Sequence, residues 1–215
     1  MDSCGTLADF IANGCTVGDK VFANVSFDVQ AGNGADIIAG IEVIGITDDA
    51  LGANFGFRLR GVGNTPLVAQ DGSLNAILAF QVSVLNPLLF LITDFHLGIN
   101  STGDVAGLVT ETLFTDLDLA AELGVLQGCV NPTAAVCAAL SATNEDFILL
   151  GTTSTLAAVK ILNFTSLGGE VDSVDQIVTQ QAQAVPEPAS MLLLGTGLAG
   201  LAMRRRRRAQ QQIQR

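Results

Sequence analysis

Along much of the chain, apolar and polar residues alternate with a period of two. Val21, Ala23, Val25, Phe27 and Val29 fall on one side of a segment whose other side carries Lys20, Asn24, Ser26, Asp28 and Gln30. Leu74, Ala76, Leu78, Phe80, Val82 and Val84 share a side opposed by Asn75, Gln81 and Ser83. Phe55, Phe57 and Leu59 alternate with Arg58 and Arg60, and Ala157, Val159 and Ile161 alternate with Ala158, Lys160 and Leu162. This is the period of strands with one buried face. Clusters of Gly, Asn and Asp at 31–36, 47–52, 61–66, 71–72 and 100–104 supply the turns between them. A short helix is predicted over 6–12, with Thr6 as its cap and Asp9 three residues on. The stretch 117–125 fits a helix or a strand edge equally. Short strands, frequent turns and no long helical pattern predict a mainly β body, a jelly-roll-like β-sandwich.

The periodicity stops near the C-terminus. A polar, Gln-rich stretch at 176–184 reads as a linker, which sets the body at 1–175. Val185-Pro186-Glu187-Pro188 follows, then fifteen uncharged residues from Ala189 to Met203, then the basic block Arg204, Arg205, Arg206, Arg207 and Arg208, and a last segment 209–215. The two prolines keep the chain extended before a helix starts, and Pro188 is acceptable in a first helical turn. At about 1.5 Å per residue the apolar helix 189–203 reaches about 23 Å, short of a hydrocarbon core of about 30 Å. Arginine side chains reaching to the interface extend it to a transmembrane helix, with the basic end and 209–215 cytoplasmic and the body outside.

Charge and composition narrow the body's role. The chain is 49% hydrophobic and 14% charged, enough to bury a sizeable core. Lys20, Arg58, Arg60 and Lys160 are the only basic residues before the tail, against 21 acidic residues. Such a surface repels phosphate backbones, so nucleic acid is excluded as a partner. The aromatic residues are all Phe, which weakens a sugar-stacking surface, normally built on Trp or Tyr.

Four cysteines fall in two local pairs with ten and seven intervening residues. These separations exceed zinc-ligand spacing and fit two disulfides in an oxidising compartment, Cys4–Cys15 and Cys129–Cys137, because short loops cost least to close. His96, the sole histidine, shares a face with Asp94, but no Gly-x-Ser-x-Gly accompanies it. Carboxylates cluster at Asp48-Asp49, Asp116 with Asp118, and Glu145-Asp146. Solvated turns account for them, with Asp116 and Asp118 as weak calcium candidates. No catalytic residue, cofactor or firm metal site is expected.

The order Val-Pro-Glu-Pro, glycine-containing apolar helix and arginine cluster over 185–208 resembles the PEP-CTERM sorting domain. The resemblance implies recognition of Pro186, Glu187 and Pro188 by an exosortase, a multi-pass membrane processing enzyme. It also implies transient residence in the inner membrane and delivery of the body to the cell surface or extracellular matrix. Hosts of such proteins are typically Gram-negative bacteria that make exopolysaccharide. The segment with Cys4, Leu7, Phe10, Cys15 and Val17-Gly18-Asp19-Lys20 resembles an uncharacterised group of PEP-CTERM proteins. Val109-Thr110-Glu111-Thr112 and Val159-Lys160-Ile161 match that group loosely. A sorting tail demands a secretory signal, and Met1-Asp2-Ser3-Cys4 offers no basic and then apolar segment, so the reading frame is expected to begin upstream of Met1. The function expected is that of a non-enzymatic surface or biofilm protein associated with exopolysaccharide. A carbohydrate-binding module is the alternative, and a secreted hydrolase the weakest reading.

Overall fold

The computed structural model describes residues 3–31, 34–48, 54–116, 118–119, 121–130 and 145–182. They form twelve strands and two short helices. In chain order these are β1 (Ser3–Thr6), α1 (Leu7–Asn13), β2 (Cys15–Val17), β3 (Lys20–Val29), α2 (Gly34–Ala39), β4 (Ile41–Asp48), β5 (Asn54–Gly61), β6 (Ser73–Val84), β7 (Phe90–Thr102), β8 (Val105–Phe114), β9 (Glu122–Val130), β10 (Glu145–Thr153), β11 (Thr155–Ser166) and β12 (Glu170–Ala182). The strands make two six-stranded sheets, ordered β1-β4-β5-β12-β7-β10 and β2-β3-β6-β11-β8-β9. Every pairing is antiparallel. The body is therefore mainly β and sandwich-like, as the alternation predicts.

The core lies between the inner faces of the two sheets. Leu74, Ala76, Leu78, Phe80, Val82 and Val84 of β6 are all buried, as their period of two requires. Phe57 and Leu59 of β5 and Phe95, Leu97 and Ile99 of β7 meet them from the other sheet. Phenylalanines fill the centre: Phe57 lies 5.1 Å from Phe80 and 5.2 Å from Phe22, both edge-on, an arrangement that aromatic rings prefer. Helix α1 closes one end. Thr6 caps it through the Asp9 amide, and the Asp9 carboxylate accepts from the Thr6 amide at 3.0 Å, a complete capping box. Phe10 of α1 stands 5.1 Å from Phe57.

Several expectations are corrected. In β3, Asn24 takes a left-handed conformation (φ 53°), and the pairing with β6 shifts between Ala23 and Ser26. This bulge turns the strand over, so Lys20 and Phe22 point inward before it and Val25 and Phe27 after it. Lys20 is thus buried and not on the polar side. In β11 the inward residues are Leu156, Ala158, Lys160, Leu162 and Phe164, while Ile161 is 46% exposed. The stretch 176–182, read as linker, is the second half of β12, paired with both β5 and β7. The expected turn at 31–36 gives way in part to α2, that at 100–104 is entered by β7, and Glu122–Val130 is a strand. The sorting motif Pro186, Glu187 and Pro188, the apolar stretch 189–203, Arg204 to Arg208 and Cys137 lie outside the described residues. Among the described residues no helix is long and apolar enough to cross a membrane.

Candidate functional site

Two constellations stand out, one on the outer face of the first sheet and one inside the sandwich. The outer face is set by alternation along β5, β7 and β12. Arg58 and Arg60 project from β5, Asn100 and His96 from β7, and Ser173 and Asp175 from β12. Arg58 is opposite Asp175 in register and grips it in two parallel hydrogen bonds: Nε donates to Oδ1 at 2.7 Å and Nη2 to Oδ2 at 2.6 Å. A bidentate, charge-assisted pair of this kind fixes geometry as well as charge. Asp175 pushes the Arg58 guanidinium further above its already high range. Asn100 Nδ2 donates to Asp175 Oδ2 at 3.2 Å and to Ser173 Oγ at 3.0 Å. Arg60 Nε donates to Glu42 Oε1 of β4 at 2.7 Å and also reaches Asn64. His96 Nε2 stands 2.8 Å from Asp94 Oδ1 on β7. The result is a polar face on which cations, carboxylates and amides are bonded to one another.

Inside the sandwich, Lys160 of β11, Glu111 of β8 and Gln176 of β12 meet, each fully buried. Lys160 and Glu111 are cross-strand neighbours in the second sheet, and Gln176 reaches them from the first. Lys160 Nζ donates to Gln176 Oε1 at 2.6 Å and lies 3.5 Å from Glu111 Oε2. Neither Glu111 oxygen has a hydrogen-bond partner among the described residues. Burial pushes the Glu111 carboxyl up to about 7 against the opposing pull of Lys160, and burial pushes the Lys160 amine down. Near the core's edge, Lys20 reaches Asp19 and Gln180 and lies 5.0 Å from the centre of the Phe55 ring.

The predicted site residues are dispersed. Cys4 and Cys15 are joined as expected. Cys129 is buried and not a free thiol, while its expected pairing with Cys137 lies outside the described residues. Asp116 and Asp118 are exposed in the turn between β8 and β9. Among the described residues no group of three or more metal-ligating side chains is gathered. The inner triad is absent from the expected sites, although its signal is in the sequence: Val109, Glu111 and Leu113 alternate, as do Ala158, Lys160 and Leu162. A charge at an inward position of an apolar strand is that signal.

No curated protein sequence matches the chain. Solved structures with remote similarity include the enzymatically active domain of bacteriophage CBA120 tailspike protein 4, at 13% identity and a TM-score of 0.34, covering 75% of this chain and 20% of that one. A carbohydrate-binding module of the β-sandwich superfamily follows at 12% identity and a TM-score of 0.30, covering 84% of this chain and 62% of that one. The carbohydrate-binding module TmCBM61, in complex with β-1,4-galactotriose, is 9% identical with a TM-score of 0.31, covering 75% of this chain and 88% of that one. The chain thus spans less than two thirds of the length of the first two. Residues 184–208 match the PEP-CTERM protein-sorting motif, so the chain carries that sorting motif behind a sandwich-like β body.

Proposed function

We propose that this is an exported, non-enzymatic protein of the bacterial cell surface or extracellular matrix, delivered there by exosortase processing of its tail. The observation that carries the reading is the ordered tail: Pro186-Glu187-Pro188, an apolar stretch and five arginines, within the motif matched at 184–208. In this reading the stretch 189–203 is the transmembrane helix of an inner-membrane precursor, and the arginines hold its cytoplasmic end. The finer reading of the body is a jelly-roll-like sandwich, supported by the strand orders 5-12-7-10 and 6-11-8-9, in which consecutive strands change sheet except at β8 and β9.

Mass spectrometry of the mature protein from its native host tests this. The mature chain is expected to end near the Pro-Glu-Pro motif, and recovery of Arg204 to Arg208 on surface-located protein would overturn the reading. Glu187→Ala is expected to leave full-length precursor in the inner membrane. Normal maturation of that variant would remove the motif from the recognition step.

A second reading, binding of the host exopolysaccharide, is favoured by the outer face built on Arg58, Asp175, Asn100 and Ser173. Planar side chains held by their neighbours recognise sugar hydroxyls through paired hydrogen bonds. A glycan array probed with the intact chain and with Arg58→Ala separates the readings. Binding lost in the variant supports a glycan site, and no binding by either leaves the structural role alone.

A further inference from the structure

The interior triad brings together the groups needed to make an amide bond. Lys160 points inward from β11 at the middle of one sheet, and Gln176 points inward from β12 at the middle of the other. The Gln176 amide nitrogen donates to the His96 carbonyl of β7 at 2.8 Å. This fixes the carboxamide so that its carbonyl faces the amine, 2.6 Å from Nζ. Glu111 Oε2 stands 3.5 Å from the amine nitrogen. A salt bridge is an expensive use of this place, since two ions lose their water and the carboxylate gains no hydrogen bond. Burial drives both groups toward their neutral forms, an amine with a free electron pair and an acid with a proton to give.

The geometry points to a self-formed amide bond between the Lys160 amine and the Gln176 side-chain carbonyl carbon, stapling the two sheets together, with Glu111 moving the protons. The Nζ electron pair attacks the Gln176 Cδ and a C–N bond forms. The Glu111 acid gives its proton to Nε2 as the Cδ–Nε2 bond breaks, and ammonia leaves. Nζ then passes a proton to Glu111, which ends in its starting form. One amide replaces another, nothing is oxidised or reduced, and no co-reactant is needed. Confinement supplies the rate, because the reacting groups are held in contact in a site closed to water. The same pairing of residue types recurs at Lys20 and Gln180. There the carboxylate beside the amine is Asp19, which is 21% exposed and accepts a hydrogen bond from it, where Glu111 is fully buried.

Peptide mapping of the full-length, reduced and denatured chain tests the bond. Lys160 is the only lysine or arginine between Arg60 and Arg204, so trypsin should cut once in that interval unless Nζ is acylated. The expected result is no cut after Lys160 and a product lighter than its sequence by one ammonia. Cleavage at Glu170 should then leave the Lys160 and Gln176 peptides still joined. Full sequence mass with cleavage after Lys160 would overturn the proposal. So would loss of one water with the branch at Glu111, which would assign the bond to a different acyl group. Glu111→Gln, checked for folding by far-UV circular dichroism, is expected to retain its full mass. A folded variant that cross-links as completely as the parent would remove Glu111 from the reaction.

Discussion

Glu111 occupies an inward position that a leucine would fill at lower cost, and the consequence is a dependence on pH. Its carboxyl moves from an ordinary 4.5 to about 7 in the folded protein, with burial the main cause. The folded state therefore holds this proton more tightly than the unfolded chain does. The resulting stabilisation is fully present below 4.5 and is lost as pH rises through about 7. Glu111→Gln keeps the shape and removes the titration. Between pH values below 4.5 and above 7 the parent's urea midpoint should fall, by on the order of 3 kcal/mol, while that of the variant stays level, and a pH-independent offset between the two belongs to the cross-link that the parent alone forms. Parallel curves would show that Glu111 is not held neutral by its surroundings. The Lys160 amine, pushed down by the same burial, is the complementary half of the arrangement.

At the scale of elements, Asn24 decides which face of β3 meets the core. Its left-handed conformation starts the bulge, and its side-chain amide is tied to Gln81 Oε1 of β6 at 2.8 Å. A β-branched residue is disfavoured there, so Asn24→Val should cost about 1–2 kcal/mol, read as a lower urea midpoint, while Asn24→Gly stays closer to the parent. Equal midpoints for all three would mean that the bulge does not depend on residue 24. This bulge also explains where alternation misleads. Strands β5 and β6 are legible because their inward positions are uniformly apolar, and α1 is legible because Thr6 and Asp9 form a capping box. A period of two cannot show a bulge, so Lys20 and Phe22 land on the wrong face. In β11 residues 157–162 are apolar on both faces but for Lys160, and hydropathy places a lysine outside. The second half of β12, from Gln176, reads as linker because of its glutamines. Yet Gln176 and Gln180 are the partners of Lys160 and Lys20. The polarity that hides the strand and the polarity that builds the inner site belong to the same residues.

A disulfide holds the edges of the two sheets. Cys4 lies in β1 at the edge of one sheet and Cys15 in β2 at the edge of the other, with α1 between them. Its closure of a short loop limits the unfolded chain, so Cys15→Ser should lower stability by about 3 kcal/mol in the chain-entropy picture, measured by denaturant unfolding without reductant. An unchanged midpoint would show that β1, α1 and β2 hold their places through packing alone.

For the whole molecule, the decisive strand is the last one. β12 lies between β5 and β7, carries Gln176 into the core and Asp175 onto the outer face, and closes an isolated bridge from Val171 to Val68. It ends at Ala182, shortly before Val185 opens the sorting motif, and Met1–Ala182 is a compact unit by itself. Processing near Pro186 would leave every strand of the sandwich intact, whereas processing at the boundary suggested by composition would remove half a central strand. Two truncations distinguish these cases. A chain ending at Ala182 should unfold in one cooperative transition with the midpoint of the full-length protein. A chain ending at Asp175 loses Gln176 and the pairings of Ile177, Val178 and Thr179 with both neighbours, and Lys160 and Glu111 are left facing a cavity. It should fail to give a cooperative transition, because the lost segment spans the centre of the sheet. A cooperative, equally stable chain ending at Asp175 would show that β12 is dispensable beyond that residue and that the body ends earlier than the sheet does.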